Sequence, residues 1–274
     1  MQPPSLPPVL SIAGSDCSAG AGIQADLKTI TALGGYGLTA VTAIVSETPG
    51  RVSQLALVEP GLIEDQIRVL FEGFPILAAK TGMLGGLDQV EAVARAWAAY
   101  GGDIPLVVDP VMVATGGGSL LMDGAVTALA TQILPLATVI TPNMDEAGAL
   151  RGRRIESREA MAACASDLAD HFQTAVLLKG GHLKDDRADD VLVHAGGLTW
   201  FEGKRTPGVS THGTGCTLSS ALATHLALGL DLVNAVAAAK RFVSRAIERH
   251  LQWTGSIGPV HALHHDAARD QRPS

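Results

Sequence analysis

The chain has 274 residues, of which 47% are hydrophobic, 17% charged and only 4% aromatic, with 31 glycines and a formal net charge of -7. This composition excludes a disordered chain, a collagen and a coiled coil. The 20 Lys and Arg residues form no basic run, which argues against nucleic acid as a partner. The three cysteines are too few and too scattered for a disulfide framework or a metal-binding spacing.

The opening segment is proline-rich and lacks the basic and apolar regions of a secretory signal. No window approaches the roughly 18 uninterrupted apolar residues of a membrane span. We therefore expect a cytoplasmic protein without a membrane partner. We expect a flexible N-terminal segment (1–8), a single domain (9–262) and a polar tail (263–274), in which His264 and His265 are solvated.

Short apolar runs bounded by Gly, Pro, Asp or Asn predict strands, and the Ala- and Leu-rich segments between them predict helices. In chain order these are strand Val9–Gly14, helix Ile23–Leu33, strands Thr39–Val45 and Leu55–Val58, helix Pro60–Phe71, strand Leu77–Thr81, helix Leu87–Tyr100, strand Leu106–Val113, helix Gly124–Leu134, strand Thr138–Thr141, helix Arg158–Asp170, strand Val176–Gly180, a hairpin of Asp190–His194 and Leu198–Phe201, and helices Thr217–Leu228 and Leu232–His250. The alternation indicates an α/β fold, with a mainly parallel sheet covered by helices on both faces. The charged stretch Lys184–Asp190 is expected to be either an ordered turn or a flap.

Ligands of such a sheet bind beyond the carboxyl ends of its strands, and a glycine cluster follows the first strand. Gly20 and Gly22 partly match a dinucleotide-binding fingerprint, and Glu47 ends the next strand where a ribose-binding acid would lie. The match is weak, because the first glycine of the fingerprint follows its strand directly, whereas five residues separate Gly14 from Gly20. Asp26, near the start of the following helix, either faces the crevice or complements the helix dipole.

A second group of polar residues lies at Thr141–Glu146, where a strand ends and a helix begins. Asn143 and Glu146 are three residues apart and share one helix face, which suits either a capping box or a ligand site. Asp109 closes the preceding strand and adds a carboxylate at the same sheet edge. Carboxylates gathered there suit Mg²⁺, which is usually held through waters and phosphates.

A third group, His212–Thr217, precedes a helix and contains two glycines. Such a turn points backbone N–H groups at one spot, where the helix dipole favours an anion. Cys216 lies at the helix start, a position that lowers thiol pKa values, although a small buried packing residue is the alternative. Lys179 ends another strand and offers a cation, or is simply solvated. Anion cradle, carboxylates and lysine together indicate phosphoryl transfer by an ATP-dependent small-molecule kinase.

In their order and spacing these motifs resemble those of the hydroxymethylpyrimidine/phosphomethylpyrimidine kinases of thiamine biosynthesis, members of the ribokinase-like superfamily. The similarity runs from residue 9 to residue 261. The matching stretches are Ile12–Asp16, Gly20–Thr29, Lys80–Met83, Val108–Met112, Thr141–Asn143, Lys179–His182, His212–Ser219 and Gly258–His261. The resemblance implies a single-domain ribokinase-like three-layer sandwich, ATP and Mg²⁺ as cofactors, an aminopyrimidine substrate and a homodimer.

The resemblance also implies roles for individual residues. Cys216 would be the general base, where most of the superfamily has an aspartate. The N–H groups of Gly213, Thr214, Gly215 and Cys216 would hold the migrating phosphoryl group. The remaining roles are substrate binding by Gly14, Asp26, Val45, Glu47, Met83 and Val111; ATP binding by Asp109, Thr141, Asn143 and Lys179; and Mg²⁺ binding by Asp109 and Glu146.

One residue departs from the family pattern, because Glu47 stands where the family normally has Gln. Gln both donates and accepts hydrogen bonds, as an aminopyrimidine edge requires, whereas an ionised Glu only accepts. We expect Glu47 to weaken phosphorylation of the pyrimidine alcohol more than that of its monophosphate, unless Glu47 or the ring holds a proton. The alternative functions are a pyridoxal or pyridoxine kinase and a non-catalytic pyrimidine sensor.

Overall fold

The computed structural model describes residues 5–112, 124–181, 187–209, 212–256 and 258–266. Its strands are β1 (Pro8–Asp16), β2 (Tyr36–Thr48), β3 (Arg51–Leu57), β4 (Ala78–Thr81), β5 (Leu106–Val108), β6 (Val139–Ile140), β7 (Ala175–Lys179), β8 (Asp190–His194), β9 (Gly197–Phe201), β10 (Leu251–Gly255) and β11 (Gly258–Ala262). Its α-helices are α1 (Gly22–Ala32), α2 (Pro60–Gly73), α3 (Leu87–Tyr100), α4 (Ala125–Ala128), α5 (Met144–Arg151), α6 (Arg158–Phe172), α7 (Thr214–Ala227) and α8 (Leu232–Glu248). Residue 113, part of Lys184–Asp190 and most of the expected polar tail lie outside the described residues.

Nine strands form one sheet in the order β3-β2-β1-β4-β5-β6-β7-β8-β9. The pairs from β2 to β7 are parallel, whereas β3, β8 and β9 join antiparallel at the two edges. The expected α/β fold with a mainly parallel sheet is therefore confirmed.

Apolar residues on both faces of the sheet create the three layers. Within β5, Leu106 and Val108 pack into one core, whereas Val107 faces the other, because successive strand side chains alternate. The first core is covered by residues of α2, α3, α5 and α6. The second is covered by residues of α1, α7 and α8, so that α7 reaches the sheet from the opposite face to α5.

Two predicted elements differ from the structure at prolines. The strand expected over Leu106–Val113 ends at Val108, because Pro110 offers no N–H for a sheet ladder. The helix expected over Gly124–Leu134 is α-helical only over Ala125–Ala128 and continues as a wider turn and a short 3₁₀ segment that contains Pro135. The first difference leaves Asp109 in a loop at the sheet edge.

The C-terminal region contradicts the sequence-based expectation. Strands β10 and β11 pair as an antiparallel hairpin that the sequence analysis missed. Leu263 and His265 are buried, and His265 Nε2 lies 3.1 Å from Thr217 Oγ1. The packed domain therefore extends beyond residue 262, and His265 is not solvated. Among the described residues, no helix combines the length and apolarity needed to cross a bilayer.

Candidate active site

The polar residues singled out in the sequence converge at one edge of the sheet, because parallel strands end on the same side. Asp16 ends β1, Asp109 follows β5, and Thr141 and Asn143 follow β6. Lys179 ends β7 at the same edge, and its backbone N–H donates to Pro142 O at 2.9 Å.

The predicted anion cradle lies in the turn before α7. Gly213 caps the helix with φ +82°, in the left-handed region that glycine tolerates best. It also packs so closely on the Gly20 carbonyl that a Cβ would collide with it. The first intrahelical bond runs from Thr217 N to Gly213 O at 2.9 Å, so the N–H groups of 214–216 are not used by the helix.

An ion pair lies beside this cradle. Lys179 Nζ is 2.8 Å from Asp109 Oδ1, which also accepts the Thr141 hydroxyl at 3.0 Å. A Cβ added to Gly215 would lie 3.1 Å from Asp109 Oδ2 and 3.4 Å from Lys179 Nζ. The structure thus brings together Lys179, Asp109 and the turn before α7, as expected from the sequence.

Asn143 and Glu146 form both halves of a capping box at the start of α5. Asn143 Oδ1 accepts from Glu146 N at 2.9 Å, and Glu146 Oε2 accepts from Asn143 N at 2.8 Å. Burial raises the pKa of Glu146 to about 7, with Lys179 opposing the shift and Asp109 adding to it. Besides the capping bond, the Met112 backbone donates to the Glu146 carboxylate, so a ligand role would come in addition to bonds that this group already makes.

A buried cluster behind α7 was not recognised from the sequence. Lys80 and Asp26 are both completely buried, and Lys80 Nζ lies 3.1 Å from Asp26 Oδ2. The Asp26 carboxylate also accepts the hydroxyls of Ser11 and Ser220, each at 2.5 Å. Asp26 is therefore neither a dipole-complementing surface group nor an accessible wall of a substrate pocket. The available signal was a lysine in the otherwise apolar β4, since lysine is rarely buried without a partner.

Cys216 does not have the lowered pKa expected from its position at a helix start. Burial raises the pKa of its thiol to about 12. The positive charge of Lys80 and a hydrogen bond from the Gly22 backbone act in the opposite direction, whereas Asp26 and Asp109 add to the rise. The two interactions that favour the thiolate are outweighed, so the resting side chain is a neutral thiol.

A cluster of Asp16, His212 and Glu47 joins the loop after β1 to the cradle. Asp16 Oδ2 accepts from Gly20 N at 3.1 Å and Ala21 N at 2.8 Å, and lies 3.3 Å from His212 Nε2. Burial alone would raise the pKa of Asp16, but hydrogen bonds, including that from His212, lower it to about 2. Burial and the charge of Asp16 raise the pKa of Glu47, with His212 opposing.

Metal binding by these three residues is disfavoured, although their ligand atoms all lie within 4.8 Å of one another. Asp16 Oδ2 already has four polar neighbours, the fourth being Ser18 Oγ at 3.0 Å. An oxygen so fully engaged has no lone pair left for a cation. The cluster therefore fixes a loop and sets the environment of Glu47.

The remaining predicted substrate residues fall into two groups. Gly14 N donates to Met83 O at 3.0 Å, and Val45, which pairs with Asp16 in the sheet, is buried beside them. Val111 is half-buried and lies next to Asp109, whose carbonyl oxygen accepts the Val111 N–H at 2.8 Å.

Known proteins resemble this chain over most of its length. The family model described as phosphomethylpyrimidine kinase matches residues 16–261. The hydroxymethylpyrimidine/phosphomethylpyrimidine kinase of Rhizobium meliloti is 43% identical over 258 residues, which cover 93% of this chain and 96% of that protein. The thiamine biosynthesis bifunctional protein ThiED of Geobacter sulfurreducens is 42% identical over 264 residues, or 96% of this chain, and the match spans 54% of that longer protein.

Two solved structures share the whole architecture. The phosphomethylpyrimidine kinase of Clostridium difficile is 36% identical with a TM-score of 0.78, over 88% of this chain and 99% of that one. A pyridoxal kinase of Bacillus subtilis, solved as an ADP complex, is also 36% identical, with a TM-score of 0.88 over 97% of this chain and 99% of that one. The ribokinase-like fold expected from the motifs is thereby confirmed.

Proposed function

Because the chain belongs to the phosphomethylpyrimidine kinase family, we propose that it transfers the γ-phosphoryl group of ATP to 4-amino-5-hydroxymethyl-2-methylpyrimidine, to the monophosphate of this alcohol, or to both. The observation that carries the proposal is the glycine cradle of α7 lying against the Lys179–Asp109 pair. Phosphoryl transfer needs this combination, since it depends on positioning and charge neutralisation more than on covalent chemistry.

In the proposed first reaction, the substrate hydroxyl oxygen bonds to the γ-phosphorus as the bond to the ADP oxygen breaks. The unused N–H groups of residues 214–216 point toward the developing charge on the transferred group. Lys179, at the end of β7 beside Gly215, neutralises phosphate charge. The hydroxyl proton passes to Cys216 Sγ, which must first be deprotonated.

The high pKa of Cys216 limits how this proton transfer occurs. A thiol with a pKa of about 12 is not a resting base at neutral pH. Nearby positive charge favours its deprotonation, and Lys80 and Lys179 both act on it electrostatically. In the second reaction the attacking group is already a phosphate, so Cys216 contributes less.

The donor set near the cradle fits Mg²⁺. Asp109 and Glu146 supply buried carboxylate oxygens, which hard divalent cations prefer, and Lys179 prevents an excess of negative charge before nucleotide binds. A bound Mg²⁺ would supply charge neutralisation between the ATP phosphates. Thr141 holds Asp109 in the orientation that this role requires.

We propose that Glu47 biases the enzyme toward the second phosphorylation. Its carboxylate lies near the ionised Asp16, at the same strand ends as Gly14 and Val45. An ionised Glu47 cannot donate to the pyrimidine ring and repels a phosphate, whereas a protonated Glu47 can donate as Gln would. Comparing kcat/KM of the wild type and Glu47→Gln for both substrates tests this. If the wild type has equal kcat/KM for the alcohol and the monophosphate, and Glu47→Gln leaves both values unchanged, the proposed bias is contradicted.

A pyridoxal kinase is the second candidate function, favoured by the TM-score of 0.88 to the Bacillus subtilis pyridoxal kinase. An assay that couples ADP release to NADH oxidation, run with the pyrimidine alcohol, its monophosphate and pyridoxal, separates the alternatives. We expect turnover with at least one pyrimidine to exceed that with pyridoxal. Turnover with pyridoxal alone would favour the second candidate, and ADP release with none of the three would favour a non-catalytic sensor.

We also propose that the chain acts as a cytoplasmic homodimer. Several large apolar side chains on described elements are exposed, including Ile44 on β2, Leu62 on α2 and Trp253 on β10. Light scattering coupled to size-exclusion chromatography tests the dimer, and a mass equal to one chain at assay concentration would contradict it.

A further inference from the structure

Lys80 is a completely buried cation that stands outside the phosphate-binding residues. It lies on β4, where all four side chains are buried, and its Nζ is within 3.1 and 3.2 Å of the two Asp26 oxygens. A Cβ added to Gly82 would lie 2.9 Å from Lys80 Nζ, so the glycine leaves room for the ammonium group. A buried ion pair often adds little net stability to a fold, so stabilisation alone does not explain the Lys80–Asp26 pair.

The pair is connected directly to the helix that carries Cys216. Ser220 donates to Asp26 Oδ1, and Ser11 of β1 donates to Asp26 Oδ2. Ser220 follows Cys216 by four residues on α7, so the two side chains lie one above the other on the same helix face. Asp26 thus joins β1, β4 and α7 one helical turn from the thiol.

Four charged side chains interact electrostatically with Cys216. Lys80 of β4 and Lys179 of β7 are positive, whereas Asp26 of α1 and Asp109, after β5, are negative. Of the interactions that favour a thiolate, the one with Lys80 is the largest. Because Lys80 is held by Asp26, its charge cannot move away from the helix.

We propose that Lys80 is a positioning residue of the phosphoryl-transfer site, which orders Asp26 and Ser220 behind α7 and presents a fixed positive charge to Cys216. The inference rests on the proposed role of Cys216 as acceptor of the substrate proton. In that step the proton passes from the substrate hydroxyl to the Cys216 thiolate, the hydroxyl oxygen bonds to the γ-phosphorus, and ADP departs. Lys80 neither gains nor loses a proton.

Alkylation of Cys216 by iodoacetamide, followed by peptide mass mapping across neutral to alkaline pH, tests the inference without any substrate. A Cys17→Ser background removes the one exposed cysteine, and Cys164 is completely buried. We expect Lys80→Met to slow alkylation of Cys216 at a given pH by about tenfold or more, the factor that one pKa unit represents. Lys240→Met, which breaks the largely buried pair with Asp190, is the control and should leave the profile unchanged.

The double variant Lys80→Met/Asp26→Asn distinguishes charge from packing. It removes both members of the pair, and because the influence of Lys80 exceeds that of Asp26, its alkylation rate should fall between those of wild type and Lys80→Met. Equal rates in the two variants would indicate general loosening and overturn the inference, as would a Lys80→Met profile that matches wild type. If Lys80→Met does not fold, the double variant is compared with wild type, and an unchanged rate overturns the inference.

Kinetics provide the link to the proposed function. We expect Lys80→Met to lower kcat for the pyrimidine alcohol while KM for ATP stays within about twofold, because Lys80 is not in the nucleotide site. A wild-type chain without pyrimidine kinase turnover would refute the proposed function, yet the alkylation profiles would still report on Lys80. The two failures are therefore distinguishable.

Discussion

Lys179 Nζ lies 2.8 Å from Asp109 Oδ1, and this ion pair closes one side of the space in front of Gly215. The two residues come from strand ends 70 positions apart in the chain. In the proposed function, Lys179 would therefore be neutralised and oriented before ATP binds. Incoming phosphates and a divalent cation can replace the two partners of the pair without leaving either charge buried alone.

Replacing Lys179 by Met should strongly impair ATP use. Removing one member of a buried, hydrogen-bonded charge pair costs about 2–5 kcal/mol, so kcat/KM for ATP should fall by at least about tenfold. Steady-state kinetics at saturating pyrimidine measure this. Lys240→Met is the matched control, since its pair with Asp190 has a similar distance and burial. If Lys179→Met and Lys240→Met lose kcat/KM for ATP to the same extent, the loss reflects impaired folding and not a role of Lys179 in ATP use.

Cys216→Ala should affect the two phosphorylation steps unequally. General base catalysis contributes about a hundredfold or more, so turnover of the alcohol should fall by that factor, whereas turnover of the monophosphate should fall much less. ATP affinity, measured by titration calorimetry, should be unchanged. Cys164→Ala, a thiol removed from the α6 core, controls for loss of packing and should spare both steps. Undiminished turnover of the alcohol by Cys216→Ala would exclude the base role.

Gly215→Ala should impair catalysis without unfolding the chain. The added methyl group would lie 3.1 Å from Asp109 Oδ2 and would occupy the space in front of the cradle. We expect kcat to fall by roughly tenfold or more, while the thermal midpoint changes little because alanine suits a helix better than glycine. Gly73→Ala in α2, where a Cβ meets nothing within 4 Å, is the control. A normal kcat in Gly215→Ala would argue against phosphoryl binding at this turn.

The efficiency of the wild type on the pyrimidine alcohol should depend on the protonation of Glu47. Burial and Asp16 raise the pKa of Glu47 above 4.5, so protonation begins at a higher pH than for an exposed glutamate. The ratio of kcat/KM between wild type and Glu47→Gln should therefore rise as the pH falls from about 8 to about 5. Initial rates at a series of pH values give this ratio, and a constant ratio would contradict the prediction.

Asp16 should make stability depend on pH in acid. Its pKa is about 2 in the folded chain, against roughly 3.9 when unfolded, so the ionised form stabilises the fold above about pH 4. That contribution, at most about 2.6 kcal/mol, is lost as the pH falls from about 4 toward 2. The difference in unfolding free energy between wild type and Asp16→Asn, measured with urea, should shrink over this interval. The exposed Asp103→Asn is the control, and a difference independent of pH would contradict the assignment.

The sequence was most informative where burial alone decides the structure. Apolar runs such as Val176–Gly180 and Leu87–Tyr100 predicted strand and helix positions to within a residue or two, since both elements face a core. The residues that follow those strands also fell at one sheet edge as expected. Parallel topology makes this convergence almost inevitable once the strands are identified.

Contacts between distant residues were not predictable in the same way. His212 meets Asp16 across 196 positions, and Ser220 meets Asp26 across 194, so no local pattern indicates either contact. The prediction of a lowered pKa for Cys216 was wrong, because it considered the position at the start of a helix and not the burial that raises the pKa of the thiol. The β10–β11 hairpin was missed because β10 is exposed throughout and has no alternation of burial.

His265 and Thr217 lie within hydrogen-bonding distance, so the C-terminal segment packs against α7, the helix that carries Cys216. Burial lowers the pKa of His265 to about 4, so its ring stays neutral at physiological pH and can hydrogen-bond to the Thr217 hydroxyl. Thr217 is the immediate neighbour of Cys216, although 48 positions separate it from His265. Shortening the chain to residue 262 would therefore remove a hydrogen bond that holds the first turn of α7. We expect such a truncation to lower the rate of phosphoryl transfer, although it removes no residue of the proposed active site.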